Sequence, residues 1–252
     1  MKRFESTGLP TRIGNGVLNM TRSLMQLLTI VIGISAAMSV FAAGDPAKGK
    51  ALFTVCAACH GANGEGNALL NAPVTGGQRE WYVIRQLSAF RAGVRGTDPK
   101  DTYGMQMRPM AMTLADDQAV ADVAAYVASL NPTLPDGTQR PPGMIPENDG
   151  SAQEEPAEEP YKIEGDVEAG KAAFVTCAAC HGDRGQGNSV LRSPKLANQY
   201  YWYIVRQLEA FKSGRRGSHP KDDFGMQMRA MMVLLTSDQQ IHDVAKYITT
   251  LK

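Results

Sequence analysis

The sequence predicts an all-α protein built from two tandem copies of one small domain. Residues 45–130 align with residues 166–251 without a gap, and 44 of the 86 aligned columns are identical. Inside each copy, apolar residues recur at intervals of three and four, the spacing that places them on one face of a helix. No convincing strand alternation competes with this pattern, so each copy is predicted to contain about three helices joined by long loops.

Three apolar stripes define the predicted helices, and in the first copy their members are Phe53, Cys56 and His60, then Trp81, Ile84, Leu87 and Phe90, then Val120, Val123, Ala124 and Val127. Gly93 and Gly214 lie where the middle helix of each copy should end, because glycine readily adopts the left-handed conformation that closes a helix. The pairs Asp116-Asp117 and Ser237-Asp238 lie where the last helix should begin, since such side chains cap free N–H groups.

Four segments follow from the repeat: residues 1–43, a first domain at 44–130, a linker at 131–165 and a second domain at 166–252. The linker is rich in Pro and Glu and carries 2 basic and 8 acidic residues, which predicts an exposed, extended connection. The second domain has 12 basic and 8 acidic residues, whereas the first has 8 of each. No long basic run is interleaved with aromatic residues, which argues against nucleic-acid binding.

The first segment, residues 1–43, has the pattern of an export signal. A nearly continuous apolar run extends from Leu27 to Ala43, Arg22 precedes it, and the run ends in small residues suited to cleavage. An uncleaved membrane anchor is the alternative, because a run of about 17 residues is at the lower limit for a spanning helix. A periplasmic location is predicted in either case, with membrane contact through the N-terminus if it is retained.

All four cysteines lie in two copies of the motif C-x-x-C-H, at Cys56, Cys59 and His60 and at Cys177, Cys180 and His181. Positions i, i+3 and i+4 share one face of a helix, so two thiols and one imidazole point toward one ligand. This motif is typical of covalent haem c, in which the thiols form thioethers and the histidine binds iron. The sequence therefore predicts two covalently bound haems, which would also supplement the small core of each domain.

Two other uses of the motif fit less well. A zinc site needs a fourth ligand, and the first copy has no other histidine than His60 and no third cysteine. A thioredoxin-like redox pair needs a βαβ context that the helical pattern does not provide.

Methionine is the candidate for the second axial ligand of each iron, because the first domain offers no second histidine. Eight methionines lie in the relevant segments, and three aligned columns hold methionine in both copies, namely 105 with 226, 107 with 228, and 110 with 231. Methionine also fills irregular cores, so the repeat by itself leaves these three columns open.

The motifs resemble those of class I cytochromes c, and the duplicated layout resembles dihaem cytochromes of the c4 type. The resemblance rests on GKALFTVCAACHGANGEGN, GKAAFVTCAACHGDRGQGN, the two WY-x-x-RQL-x-AF segments and the final DVAAYVASL and DVAKYITTL. It implies that Met107 and Met228 are the axial ligands, with Met110 and Met231 as the second choice. It also implies that the carbonyls of Pro73 and Pro194 accept hydrogen bonds from the ligand histidines.

The function expected from this resemblance is periplasmic electron transfer without catalysis. The protein would carry single electrons from a quinol-oxidising complex or a dehydrogenase to a terminal oxidase or reductase. The alternative is a haem peroxidase, or a subunit of a larger membrane-bound oxidoreductase complex. Both copies retain the same GMQMR segment, which favours two similar haems over one catalytic and one electron-transferring haem.

Overall fold

The computed structural model describes residues 43–131 and 162–251, which form the two copies. Only the ends of the predicted linker at 131–165 and the last residue of the predicted segment 1–43 belong to this part, so those two predictions lie outside the described residues. Within the described part, no helix is both long enough and apolar enough to cross a membrane.

Four helices form each copy. In the first copy they are α1 (Pro46–His60), α2 (Glu80–Arg91), α3 (Thr102–Met112) and α4 (Asp117–Ser129), and in the second α5 (Val167–His181), α6 (Tyr201–Lys212), α7 (Asp223–Met231) and α8 (Asp238–Thr249). A 3₁₀ turn at Met232–Leu234 continues α7. The described residues contain helices and isolated bridges but no strand, which confirms the all-α prediction. The methionine-rich segment is an additional helix that the three apolar stripes did not reveal.

The predicted helix ends agree with the structure. Asp116 caps α4 by accepting a hydrogen bond from the Ala119 N–H at 2.8 Å. Ser237 caps α8 in a reciprocal arrangement with Gln240. Gly93 follows the end of α2 with a φ of +71°, the left-handed conformation expected there.

Each core is built where the first helix of a copy crosses its last helix. In the first copy, Phe53 of α1 packs with Val120, Val123 and Val127 of α4, and all four are buried. Gly49 lies at the crossing, where a Cβ atom would stand only 1.9 Å from the Asp122 carbonyl oxygen. The two helices can therefore approach this closely only because residue 49 has no side chain.

In the first copy, Asp122 of α4 forms hydrogen bonds that connect the start of the domain to its last helix. Its buried carboxylate accepts hydrogen bonds from the Asp45 N–H and from the Gln118 side-chain amide, both at 2.8 Å. These two donors, first Asp45 and then Gln118, lower the pKa of Asp122 because they stabilise its charged form. Asp243 makes the matching contacts in the second copy.

The two copies meet through a pair of equivalent glutamines. The Gln78 side chain donates to the Lys195 carbonyl at 3.1 Å and accepts from the Lys195 N–H at 3.3 Å. Gln199, in the same column of the repeat, donates to the Val74 carbonyl at 3.0 Å and accepts from the Val74 N–H at 3.1 Å. The interface therefore has approximate twofold symmetry.

Arg85 of α2 and Arg206 of α6 extend this symmetric interface. Arg206 donates to the side-chain and backbone oxygens of Asn71 at 3.1 and 3.0 Å, and its guanidinium lies 3.9 Å from the Tyr103 ring centroid. Its counterpart Arg85 donates to the Arg192 carbonyl at 3.2 Å and lies 4.3 Å from the Phe224 ring centroid. Both arginines thus bind a loop and an aromatic ring of the other copy.

We expect Asp122→Ala to lower the free energy of unfolding by about 1–3 kcal/mol, because the Asp45 N–H loses its acceptor. Denaturant titration near neutral pH measures this loss. The exposed Asp117 pairs with Arg91, so Asp117→Asn is the control and should cost at most about 1 kcal/mol.

The Asp122 effect should also depend on pH. The folded-state pKa of Asp122 is lowered, so its ionised carboxylate stabilises the fold fully above the ordinary carboxyl pKa of about 3.9. This stabilisation is lost as the pH falls through the folded-state pKa. The difference between wild type and Asp122→Ala should therefore shrink in strong acid. A difference that grows in acid would contradict this account.

Candidate functional site

The last two turns of α1 present the C-x-x-C-H side chains on one face. Cys56 is half-buried, Cys59 is exposed, and His60 at the end of the helix is only 7% exposed. The second copy has the same exposures, with Cys177 half-buried, Cys180 exposed and His181 buried. In each copy the three residues lie on one continuous helix at positions i, i+3 and i+4, a spacing that places side chains on the same face.

The loop that follows α1 folds back onto its end. Gly61 closes the helix with a φ of +78°, and the Gly66 N–H donates to the His60 carbonyl at 2.8 Å. Asn67 and Ala72 then pair through two backbone hydrogen bonds of 2.8 and 2.9 Å. This closed loop brings the next residue, Pro73, beside the histidine ring.

The His60 Nδ1–H donates to the Pro73 carbonyl at 2.9 Å, and His181 makes the same hydrogen bond to Pro194 at 2.9 Å. Burial lowers the pKa of both histidines, an effect opposed only in part by the carbonyl contact. A neutral imidazole that donates through Nδ1 keeps its Nε2 lone pair available for a metal. The carbonyl contact implied by the family resemblance is therefore present in both copies.

The half-buried thiols differ from those of redox-active cysteine pairs. Burial is the main cause that raises the pKa of Cys56, and the same holds for Cys177. A reactive C-x-x-C pair instead has a thiolate stabilised by a lowered pKa. Among the described residues, no three His, Cys, Asp or Glu side chains come together as ligands of one metal ion.

Burial distinguishes the three methionine columns. Met107 and Met228 are both half-buried, and Met228 packs against the same core cluster as Cys177. The other two columns are more exposed in both copies, at 40% for Met105 and Met226 and 38% for Met110 and Met231.

Two arginines missed by the sequence interpretation lie near the interface between the copies. Arg95 and Arg216 occupy one column of the repeat, and their Nε atoms are buried without a hydrogen-bond partner. Arg216 donates to Gln207 of its own copy and, at 3.3 Å, to Gln86 of the other. Burial and the nearby Arg216 lower the pKa of Arg95 to about 10. Identity within the repeat is the signal that could have identified them.

A haem fits the residues of each copy. Two thiols and an imidazole on one helix face match two vinyl groups and one iron, and the surrounding core is apolar. Haem also carries two propionate carboxylates, and guanidinium groups whose buried Nε atoms lack a hydrogen-bond partner are suited to bind such anions. Arg95 and Arg216 would supply this charge.

Comparison with known proteins agrees with the site. The family model for cytochrome c matches residues 46–131 and again residues 167–252. The chain belongs to the cytochrome c family. Cytochrome c4 of Azotobacter vinelandii is 32% identical over 226 residues, which cover 88% of this chain and 96% of that protein. Together with the two sites, this identifies a dihaem electron-transfer cytochrome with two covalently bound haems.

Two further proteins are similar to this chain, and one of them has a solved structure. The crystal structure of reduced recombinant cytochrome c4 from Pseudomonas stutzeri superimposes with a TM-score of 0.59 at 26% identity, covering 83% of this chain and 100% of that one. A protein named thiosulfate dehydrogenase electron acceptor, from Stutzerimonas stutzeri (strain A1501), is 29% identical and covers 84% of this chain and 90% of its own length. The tandem cytochrome c fold is thus confirmed.

We expect Gly66→Ala to destabilise the first domain more than Gly93→Ala. Both glycines have positive φ, but a Cβ on Gly66 would lie within 3 Å of Ala72 O, Pro73 C and the Tyr200 ring. A Cβ on Gly93 would meet no atom nearer than 3.6 Å, so it costs only the backbone strain of about 1–2 kcal/mol. Denaturant titrations that follow the haem absorption compare the two. Equal costs would contradict a steric role for Gly66.

Proposed function

We propose that this cytochrome carries single electrons in the periplasm and transforms no substrate of its own. The observation that carries the proposal is the repeated site, in which each histidine keeps Nε2 free for iron while a half-buried methionine occupies the same column of both copies. When bound, each haem supplies an iron that exchanges one electron.

The site residues would have two roles, in which the cysteines attach the haem and the histidines and methionines bind its iron. Cys56 and Cys59 in the first copy, and Cys177 and Cys180 in the second, would form the thioethers. His60 and Met107 would bind one iron, and His181 and Met228 would bind the other. A methionine ligand favours the reduced iron, and two protein ligands on each iron would leave no coordination position for a substrate.

The partners proposed are proteins that deliver or remove single electrons. A quinol-oxidising complex or a dehydrogenase would be the donor, and a terminal oxidase or reductase the acceptor. The name of the Stutzerimonas stutzeri relative, thiosulfate dehydrogenase electron acceptor, supports a dehydrogenase as donor. The periplasmic location rests on the export pattern of residues 1–43, which would hold the protein at the membrane if they are not cleaved.

Replacing the proposed methionine ligands should remove the weak far-red absorption band of methionine-ligated ferric haem. We expect Met107→Ala and Met228→Ala each to lose the contribution of one haem to this band, because one iron loses its methionine ligand. Met110→Ala and Met231→Ala are matched controls from the same helices and should retain the band. The reverse pattern would assign ligation to Met110 and Met231.

Carbon monoxide tests whether the protein is a carrier or an enzyme. The reduced native protein should not bind carbon monoxide readily, because the proposed histidine and methionine ligands would leave the iron no free position. Met107→Ala should bind it at one haem, as a shift of the Soret band would show. Rapid binding by the native protein would favour an open catalytic iron.

A further inference from the structure

The twofold symmetry of the interface is broken by charge, and the added cations lie in one half. In this half, α2 of the first copy contacts the loop at residues 184–195 of the second. Four columns place a cation here and an uncharged residue in the other half, namely Arg79 against Tyr200, Arg184 against Asn63, Arg192 against Asn71, and Lys195 against Val74. With Arg85, which has the counterpart Arg206, these cations form what we call the cationic half.

The cations of this half lie close together at the surface. The Arg79 Nη2 donates to the Gln186 carbonyl at 3.2 Å, and Arg79 helps to lower the pKa of Lys195, for which burial is the larger cause. Arg192 lies 5.0 Å from the Trp81 ring centroid, and its carbonyl accepts from Arg85. Arg79, Arg184 and Arg192 are all exposed.

Nearby acids do not balance this charge. Glu80 and Asp183 neighbour Arg79 and Arg184 in the chain, and Asp222 interacts with Arg85, so five cations face three carboxylates. The opposite half instead buries an apolar cluster of Val74, Tyr200 and Trp202. One half is thus packed like a core, and the other exposes a concentrated positive charge that suits an acidic polypeptide.

The chain itself contains such a polypeptide. Residues 147–159 include six acidic residues and no basic one. The first domain also ends beside the cationic half, because the Gly77 N–H donates to Val127 in the last turns of α4 at 3.0 Å, and Arg79 follows two residues after Gly77. From Asn131 to Glu147 an extended chain reaches about 50 Å, which is ample.

We propose that the cationic half is a docking surface for the chain's own acidic segment, residues 147–159. Docking would neutralise the excess charge beside the interface and would add an electrostatic connection to the hydrogen bonds of Gln78 and Gln199. Redox partners with acidic surfaces would then compete with this segment for the same cations.

Carbodiimide coupling of carboxylates to lysines tests the proposal on the full-length holoprotein. Lys195 is the lysine of the cationic half, and the exposed Lys50 of α1 serves as the internal control. In the monomer fraction, peptide mapping should find several-fold more product joining residues 147–159 to Lys195 than to Lys50. About 0.5 M NaCl should abolish this preference, because salt screens exposed charges.

A charge-removal variant provides an independent measurement. Arg79→Tyr, Arg184→Asn and Arg192→Asn together introduce the residues that the other half already carries. A Glu-specific protease should then cleave the acidic segment several-fold faster than in the native protein. The control variant, Lys171→Gln with Lys212→Gln and Lys221→Gln, removes three exposed cations elsewhere and should leave the cleavage rate unchanged.

Three results would overturn the proposal. The first is coupling at Lys195 that does not exceed coupling at Lys50. The second is Lys195 product found only in covalent dimers, which would assign the surface to another chain. The third is equal cleavage of the native protein and the charge-removal variant.

Discussion

Each haem site depends on the hydrogen bond between a helix-ending histidine and a proline carbonyl. His60 leaves α1 at a residue whose side chain is buried, and the loop that follows must return to within 2.9 Å of its ring. Positive-φ glycines and the Asn67–Ala72 pair provide that return. Because Nδ1 is engaged, Nε2 alone is available to iron, and the ring orientation is set by the backbone before any metal binds.

The loop that follows each histidine also helps to join the two copies. The loop that positions Pro73 or Pro194 continues directly into the segment that pairs with Gln199 or Gln78 of the other copy. Docking of the copies therefore stabilises the loop that holds each histidine. Arg95 and Arg216 add buried positive charge near this junction, where removal from water makes an anionic partner strongly favourable.

Much of this protein follows from pattern alone. The gapless repeat, the helical spacing and the caps at Asp116 and Ser237 arise from local rules, and the C-x-x-C-H motif carries its chemistry within five residues. The number of helices was less accessible, because the methionine-rich helices α3 and α7 have no clear apolar stripe. The choice among methionine columns was supported by burial, which is a property of the packed domain.

The sequence by itself determined the all-α class, the duplication, the covalent haem motifs and the acidic character of residues 131–165, because each is written in residues that are neighbours or lie at a fixed spacing. Only the tertiary structure decided that Pro73 meets His60, that Gln78 and Gln199 join the copies, and that four cations gather in one half of the interface. These contacts join segments up to 125 residues apart, and no local periodicity encodes such a distance.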